Sequence, residues 1–165
     1  MSAAAVAVAV EITAYSAFAA LSVVLTVIDV RTHRLPDRLV LPAYPVAAVL
    51  LTAAAVLRGE PGRLLVVIGG AVAMFVFYLA LRMLRPGAMG GGDVKLAGVI
   101  GAFLGYLGGE AVLTGTLAGF VFGGLFAVVL VLARRARVTS GLAFGPWMLL
   151  GAWAVIMGEL VRRLV

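Results

Sequence analysis

The chain has 165 residues, of which 64% are hydrophobic and 12% charged, and its mean hydropathy is +1.20. A soluble domain of this length does not carry so much apolar surface, so we expect one integral-membrane domain over residues 1–165. The absence of cysteine excludes a disulfide framework and a thiolate nucleophile, and the single histidine, His33, excludes a multi-histidine metal centre. Basic loops that flank membrane helices explain the net charge of +6 better than binding to nucleic acid would.

Six apolar segments predict an all-α polytopic membrane protein with about six transmembrane helices. The segments cover approximately residues 3–28, 39–57, 64–84, 94–107, 111–133 and 144–161. The first segment is overlong for one span, so we expect its helix to begin near Glu11, with this carboxylate at the outer surface. The fourth is short, and we expect it to extend into neighbouring glycines. Because residues 1–10 contain no lysine or arginine, they lack the basic region of a signal peptide, and we expect the first helix to be retained.

The basic residues divide unequally between the two sides of such a bundle. With six spans, nine of the thirteen lie in the loops 29–38, 82–95 and 134–141. These nine are Arg31, Arg34, Arg38, Arg82, Arg85, Lys95, Arg134, Arg135 and Arg137. The positive-inside bias predicts that these loops face the cytoplasm and that both termini lie outside. Arg134, Arg135 and Arg137 are interpreted as a topology anchor with some attraction to anionic lipid.

Glycines recur at intervals of four residues in two stripes. The stripes are Gly101, Gly105 and Gly109, followed by Gly115, Gly119 and Gly123. Small residues at this spacing allow close approach of membrane helices, so both stripes predict helix packing. We expect Trp147 and Trp153 to face lipid or to pack between helices, and His33 to be solvated.

Two aspartates stand at the edges of apolar segments, on the side predicted to be cytoplasmic. Asp29 closes the first segment and Asp93 precedes the fourth, in a chain with only seven acidic residues. Each alone is compatible with a solvated interfacial residue or a helix cap, but a carboxylate at this position is costly and commonly functional. Two carboxyl groups that share a proton are the catalytic unit of an aspartyl protease, which needs no cofactor or metal.

The surroundings of both aspartates are distinctive. Residues 90–92 are three glycines, which permit unusual backbone conformations and could bring backbone amides or substrate close to Asp93. Lys95 follows, and either biases the ionisation of that carboxyl or reaches lipid headgroups. After Asp29, Pro36 and Pro42 are expected to shape the turn into the second span.

At these residues the chain resembles the type IV prepilin peptidases of the GxGD aspartyl protease group. Three blocks carry the resemblance in order: Ile28-Asp29 with Leu35-Pro36-Asp37 and Leu41-Pro42, then Met89-Gly90-Gly91-Gly92-Asp93-Val94-Lys95-Leu96, then Ala143-Phe144-Gly145-Pro146. The resemblance implies that Asp29 and Asp93 are the catalytic pair. It assigns supporting places to Gly90, Gly92, Lys95, Pro36, Asp37, Gly145 and Pro146.

The resemblance also implies a substrate and a location. The substrate is a prepilin or pseudopilin whose short basic leader precedes a hydrophobic helix, cleaved at the cytoplasmic face of the bacterial inner membrane, commonly after a glycine. Larger bifunctional members carry an extra N-terminal region with paired cysteines, linked to N-methylation. This chain has no cysteine and resembles the shorter peptidase-only members, such as those serving tight-adherence (Flp) pili, so we expect no methyltransferase activity.

Two other functions are also compatible with these residues. Another GxGD intramembrane protease, such as a presenilin-like enzyme, usually has its first aspartate within a span after tyrosine, whereas Asp29 follows Ile28 at a span end. A small transporter could use Asp29 and Asp93 as proton or cation sites. That function would favour carboxylates near the middle of the bilayer and inverted repeats, and no repeat is visible in the sequence.

Overall fold

The computed structural model describes residues 2–85, 89–133 and 143–164. These residues form six helices and no strand, which confirms the predicted all-α fold. The helices are α1 (Ala3–Thr32), α2 (Asp37–Leu57), α3 (Arg63–Leu84), α4 (Gly91–Leu107), α5 (Gly109–Leu132) and α6 (Gly145–Leu164). The predicted anchor residues Arg134, Arg135 and Arg137 lie outside the described residues.

Four of these helices, α1, α2, α3 and α5, are long and apolar enough to cross a membrane. Helix α4 has only 17 residues, yet thirteen of them are buried. It contacts α2, α3, α5 and α6, so neighbouring helices shield it from lipid. Its start at Gly91 confirms that the fourth segment extends into the glycines.

Helix α1 is a continuous helix of 30 residues, so the prediction that it begins near Glu11 is wrong. The helix begins at Ala3, and Ser2 caps it by accepting a hydrogen bond from the backbone N–H of Ala5. Glu11 therefore lies inside the helix. The helix tolerates the carboxylate because Arg58 pairs with it, so Glu11 is not an unpaired charge in an apolar segment.

The prolines near the start of α2 have different roles. Pro36 is the residue that precedes the helix, in an extended conformation, as expected for a turn residue. Pro42 lies within the helix, as does Pro45, so the prediction that Pro42 shapes the turn is wrong. Membrane helices tolerate internal proline because neighbouring helices and small local adjustments compensate for the missing backbone hydrogen bond.

The glycine stripes pack helices closely, with one exception. A Cβ added at Gly105 would lie 3.0 Å from the Cα of Val67 on α3, and one added at Gly151 on α6 would lie 2.7 Å from the Cα of Gly119. The exception is Gly109, where an added Cβ would meet nothing within 4 Å. Glycine thus sets the spacing of α3 against α4 and of α5 against α6.

The two tryptophans are half-buried and pack on rings of neighbouring helices, which is one of the two alternatives expected for them. Trp153 stacks on Phe18 with ring centroids 5.5 Å apart and donates a hydrogen bond from its indole nitrogen to Ser22. Trp147 packs on Phe126 with a centroid distance of 4.5 Å. His33 is exposed, as predicted, and ends α1 in the left-handed conformation with φ 52°.

Candidate active site

Asp29 lies in the last turn of α1 and is buried, with 3% of its surface exposed. Its Oδ2 accepts a hydrogen bond from the backbone N–H of Gly145 at 3.1 Å. Gly145 is the first residue of α6, and the first backbone amides of a helix have no partner within it. The start of α6 therefore supplies a donor to a carboxylate 116 positions earlier in the chain.

Asp93 lies in the first turn of α4 and is also buried, with 8% of its surface exposed. Its Oδ2 accepts a hydrogen bond from the backbone N–H of Gly90, at 3.0 Å. A carboxylate at the third helical position commonly bonds back to the residue preceding the helix in this way. The expectation that the glycine run brings a backbone amide to this carboxyl is confirmed.

These glycines matter because they have no side chain, and not because they adopt unusual backbone angles. The prediction of unusual backbone conformations is therefore wrong. Gly90 has φ −69° and ψ 150°, which any residue adopts, and Gly91 and Gly92 are helical. A Cβ added at Gly92 would lie 2.6 Å from the Cβ of Leu35. Glycine is thus needed where the start of α4 passes the segment between α1 and α2.

The fold brings the two aspartates together. Their charges are close enough to act on one another. The buried residue Leu35 lies against both Gly92, which precedes Asp93, and Gly145, which donates to Asp29, because a Cβ added at either glycine would contact it. No lysine or arginine forms an ion pair with Asp29 or Asp93 within the described ranges. Each carboxyl therefore has a backbone amide as its hydrogen-bond donor; the charge of Asp29 acts on Asp93, and His33 acts on Asp29.

The lysine after Asp93 takes neither of the roles expected for it. The Nζ of Lys95 lies 2.7 Å from both carboxylate oxygens of Asp37, at the start of α2. The Tyr44 hydroxyl donates a hydrogen bond to the Lys95 carbonyl, also at 2.7 Å. These contacts join α2 to the first turn of α4, which carries Asp93.

The remaining supporting residues border the pair without hydrogen-bonding to it. Pro36 and Pro146 are half-buried, Pro36 before α2 and Pro146 in the first turn of α6. An apolar cavity of about 590 Å³ lies between α1 and α6, and Val27 and Pro146 are in its wall. The cavity therefore reaches the neighbours of Asp29 and Gly145.

Two features near charged groups were not predicted from the sequence. Tyr78 on α3 is fully buried, and the charge of Asp93 acts on its hydroxyl. The one signal for Tyr78 in the sequence is its polar hydroxyl within the otherwise apolar segment of α3. Far from the aspartates, Glu11 pairs with Arg58 and accepts a hydrogen bond from the Tyr106 hydroxyl. Nothing local in the sequence indicates these partners.

The fold and site define a polytopic all-α membrane protein with two buried, interacting carboxyl groups. The model of the type IV leader peptidase family matches residues 16–132, and the chain belongs to this family.

Similar proteins include the prepilin leader peptidase/N-methyltransferase of Aeromonas salmonicida (strain A449), 30% identical over 86% of this chain and 48% of the relative. The protein of the same name from Escherichia coli (strain K12) is 32% identical over 78% of this chain and 55% of the relative. The Dickeya chrysanthemi protein of that name is 30% identical over 84% and 48%. The chain thus spans about half the length of these relatives. No solved structure matches the chain significantly.

Proposed function

We propose that this protein is a membrane aspartic endopeptidase that removes the leader from prepilin-like precursors. The observation that carries the proposal is the buried pair Asp29 and Asp93, brought together from α1 and α4. Family membership and the names of the relatives support the substrate class.

The chemistry follows from the two carboxyl groups. One, as carboxylate, takes a proton from water while that water attacks the scissile carbonyl carbon. The other, as acid, donates its proton to the carbonyl oxygen or the leaving nitrogen. Two like charges held close together cannot both ionise cheaply, so one proton stays on the pair. The amides of Gly145 and Gly90 hold the carboxyl oxygens in place without neutralising their charge.

The supporting residues hold the elements that carry the pair. The Lys95–Asp37 ion pair fixes the first turn of α4 against α2. Gly92 allows α4 to approach Leu35, and Gly145 allows α6 to approach Asp29. Pro36 and Pro146 set the starts of α2 and α6. Together they fix where the two carboxyl groups lie.

The proposed substrate has a hydrophobic helix after its basic leader. The apolar cavity between α1 and α6 supports this, because its wall includes Val27 and Pro146, which lie within two residues of Asp29 and Gly145 along the chain. The basic loops support a site that faces the cytoplasm of a bacterial inner membrane, with both termini outside. Cleavage would then fall where the leader leaves the bilayer.

Co-expression with a candidate prepilin tests the proposal, with leader removal read on a gel and from the mass of the mature N-terminus. We expect the parent to cleave, and Asp29→Asn and Asp93→Asn each to lose at least about 1000-fold in rate. Glu110→Gln is a matched control, because Glu110 is an exposed acid in the first turn of α5. Equal membrane levels of all variants are required.

Cleavage that survives either aspartate substitution would remove that residue from the catalytic pair. A well-inserted parent that cleaves none of several prepilins would contradict the proposed substrate class. Proton-coupled flux lost in both aspartate variants, without any cleavage by the parent, would favour the transporter.

A further inference from the structure

Tyr78 carries a buried hydroxyl that the proposed chemistry has not yet used. The residue lies on α3 with 0% of its surface exposed, and its hydroxyl has no hydrogen-bond partner in the part of the chain that the structure describes. Leaving a buried polar group without a hydrogen bond is unfavourable, so such a group calls for an explanation.

The other three tyrosines of the chain behave differently. Tyr15 donates a hydrogen bond to the Phe103 carbonyl at 3.1 Å, and Tyr44 donates to the Lys95 carbonyl at 2.7 Å. Tyr106 donates to the Glu11 carboxylate. In each case the hydroxyl joins two helices. Tyr78 makes no such bond, so helix packing does not account for its hydroxyl.

Aromatic packing does account for its ring. The Tyr78 ring stacks on Phe120 with centroids 5.7 Å apart and an interplanar angle of 18°, and packs against Phe144 at 6.2 Å. Phenylalanine would serve this packing equally well, and α3 carries Phe75 and Phe77 nearby. The hydroxyl is therefore the part of Tyr78 that needs a function.

The surroundings of Tyr78 connect it to both aspartates. Phe144, which contacts its ring, directly precedes Gly145, the hydrogen-bond donor to Asp29. Asp93 is close enough for its charge to act on the Tyr78 hydroxyl. An ionised carboxylate has about four lone-pair sites, so Asp93 can accept a bond in addition to the one from Gly90. Hydrogen bonds at catalytic groups commonly tighten only when substrate binds.

We propose that Tyr78 is a positioning residue whose hydroxyl donates a hydrogen bond to the Asp93 carboxylate when the substrate complex forms. The proposal rests on the proposed peptidase function. Such a bond would orient Asp93 toward the water or the scissile group. Removing the outer hydrogen-bond partner of a metal-ligating residue commonly costs about 10–100-fold in activity, and we expect a loss of the same size for a partner that orients Asp93.

The test is Tyr78→Phe in the full chain, purified in detergent, with kcat and KM measured on a prepilin that the parent cleaves. The ring packing is kept and an unpaired hydroxyl is removed. We therefore expect kcat to fall about 10–100-fold, KM to stay unchanged and the thermal unfolding temperature to stay the same or rise. Tyr15→Phe is the control, because it removes a hydroxyl bonded between α1 and α4 far from the aspartates. It should lower the unfolding temperature and keep kcat.

Three outcomes would overturn the proposal while the parent still cleaves. A kcat equal to that of the parent would show that the hydroxyl has no role in the reaction. A raised KM with unchanged kcat would make Tyr78 a substrate contact. An unfolding temperature lowered as in Tyr15→Phe would make the hydroxyl structural. A parent that cleaves no prepilin would instead contradict the peptidase function, and this proposal with it.

Discussion

Helix α1 carries one carboxylate toward each of its ends, and the fold surrounds the two in opposite ways. Glu11 is bonded by the guanidinium of Arg58 and by the Tyr106 hydroxyl. Asp29 lies 18 residues further along, about 27 Å at 1.5 Å per residue, and its hydrogen-bond donor is the amide of Gly145. Its charge acts on a second carboxyl group, that of Asp93, and His33 acts on Asp29 in turn.

The contacts around Glu11, near the start of α1, stabilise the packing of the helices. The hydrogen bond from Arg58 to Glu11 raises the pKa of Arg58 above its ordinary value, so the guanidinium stays charged at any working pH. Arg63 lies over the Tyr106 ring at 5.0 Å and also donates to the Tyr106 carbonyl. These contacts connect α1, the α2–α3 turn and the end of α4.

The surroundings of Asp29 differ, since a buried carboxylate without an ion-pair partner is unfavourable. A fold selected for stability alone would pair it or replace it. The difference teaches that the ion pair at one end of the bundle joins helices, while the carboxyl groups without ion pairs at the other end are those that the proposed peptidase chemistry needs. Three experiments can break or sharpen this comparison.

The largest effect is expected at Gly145. In Gly145→Ala the new Cβ would lie 2.7 Å from Oδ2 of Asp29, so the movable carboxyl group must shift. A misplacement of this size commonly costs about 100-fold in rate, and we expect that loss in prepilin cleavage, with the fold retained. Gly158→Ala on the same helix is the control, because its Cβ would meet nothing within 4 Å. Equal activity of the two variants would contradict the role given to Gly145.

The next effect is on the free energy of unfolding, and we expect it to differ between the two ends of α1. Glu11→Gln weakens the bonds to Arg58 and should lower the free energy of unfolding by about 1–2 kcal/mol. Asp29→Asn keeps an oxygen that can accept from Gly145 and removes repulsion with Asp93, so stability should stay equal or rise. Thermal unfolding in detergent measures both. Destabilisation by Asp29→Asn as large as that by Glu11→Gln would remove the contrast.

The smallest effect is expected at the Asp37–Lys95 ion pair, which is partly exposed. A double-mutant cycle with Asp37→Asn and Lys95→Gln should give a coupling energy of about 0.2–1 kcal/mol that decreases with added salt. The measurement is thermal unfolding at low and high ionic strength. A coupling of several kcal/mol that does not respond to salt would assign this pair to a buried network.

The aspartate pair could be predicted because its signal is local. A carboxylate at the edge of an apolar segment is unusual wherever the chain folds, and the glycines before Asp93 mark a close approach. The start of α4 within the glycines followed from segment length in the same way. The partner of Glu11 could not be predicted, because Arg58 and Tyr106 are 47 and 95 positions away. The partner of Lys95 could not be predicted either, because Asp37 lies 58 positions away along the chain.

By itself the sequence determined six apolar helical segments and the two carboxylates at their edges, because hydrophobic run length and isolated charge are read along the chain. Only the tertiary structure decided that α4 is enclosed by its neighbours, that Gly145 donates to Asp29 and that the charge of Asp93 acts on Tyr78. The physical reason is that hydrogen bonds need their two atoms within about 3 Å of one another and that charge interactions weaken with distance. Which residues come that close depends on how the helices pack, and not on their order in the chain.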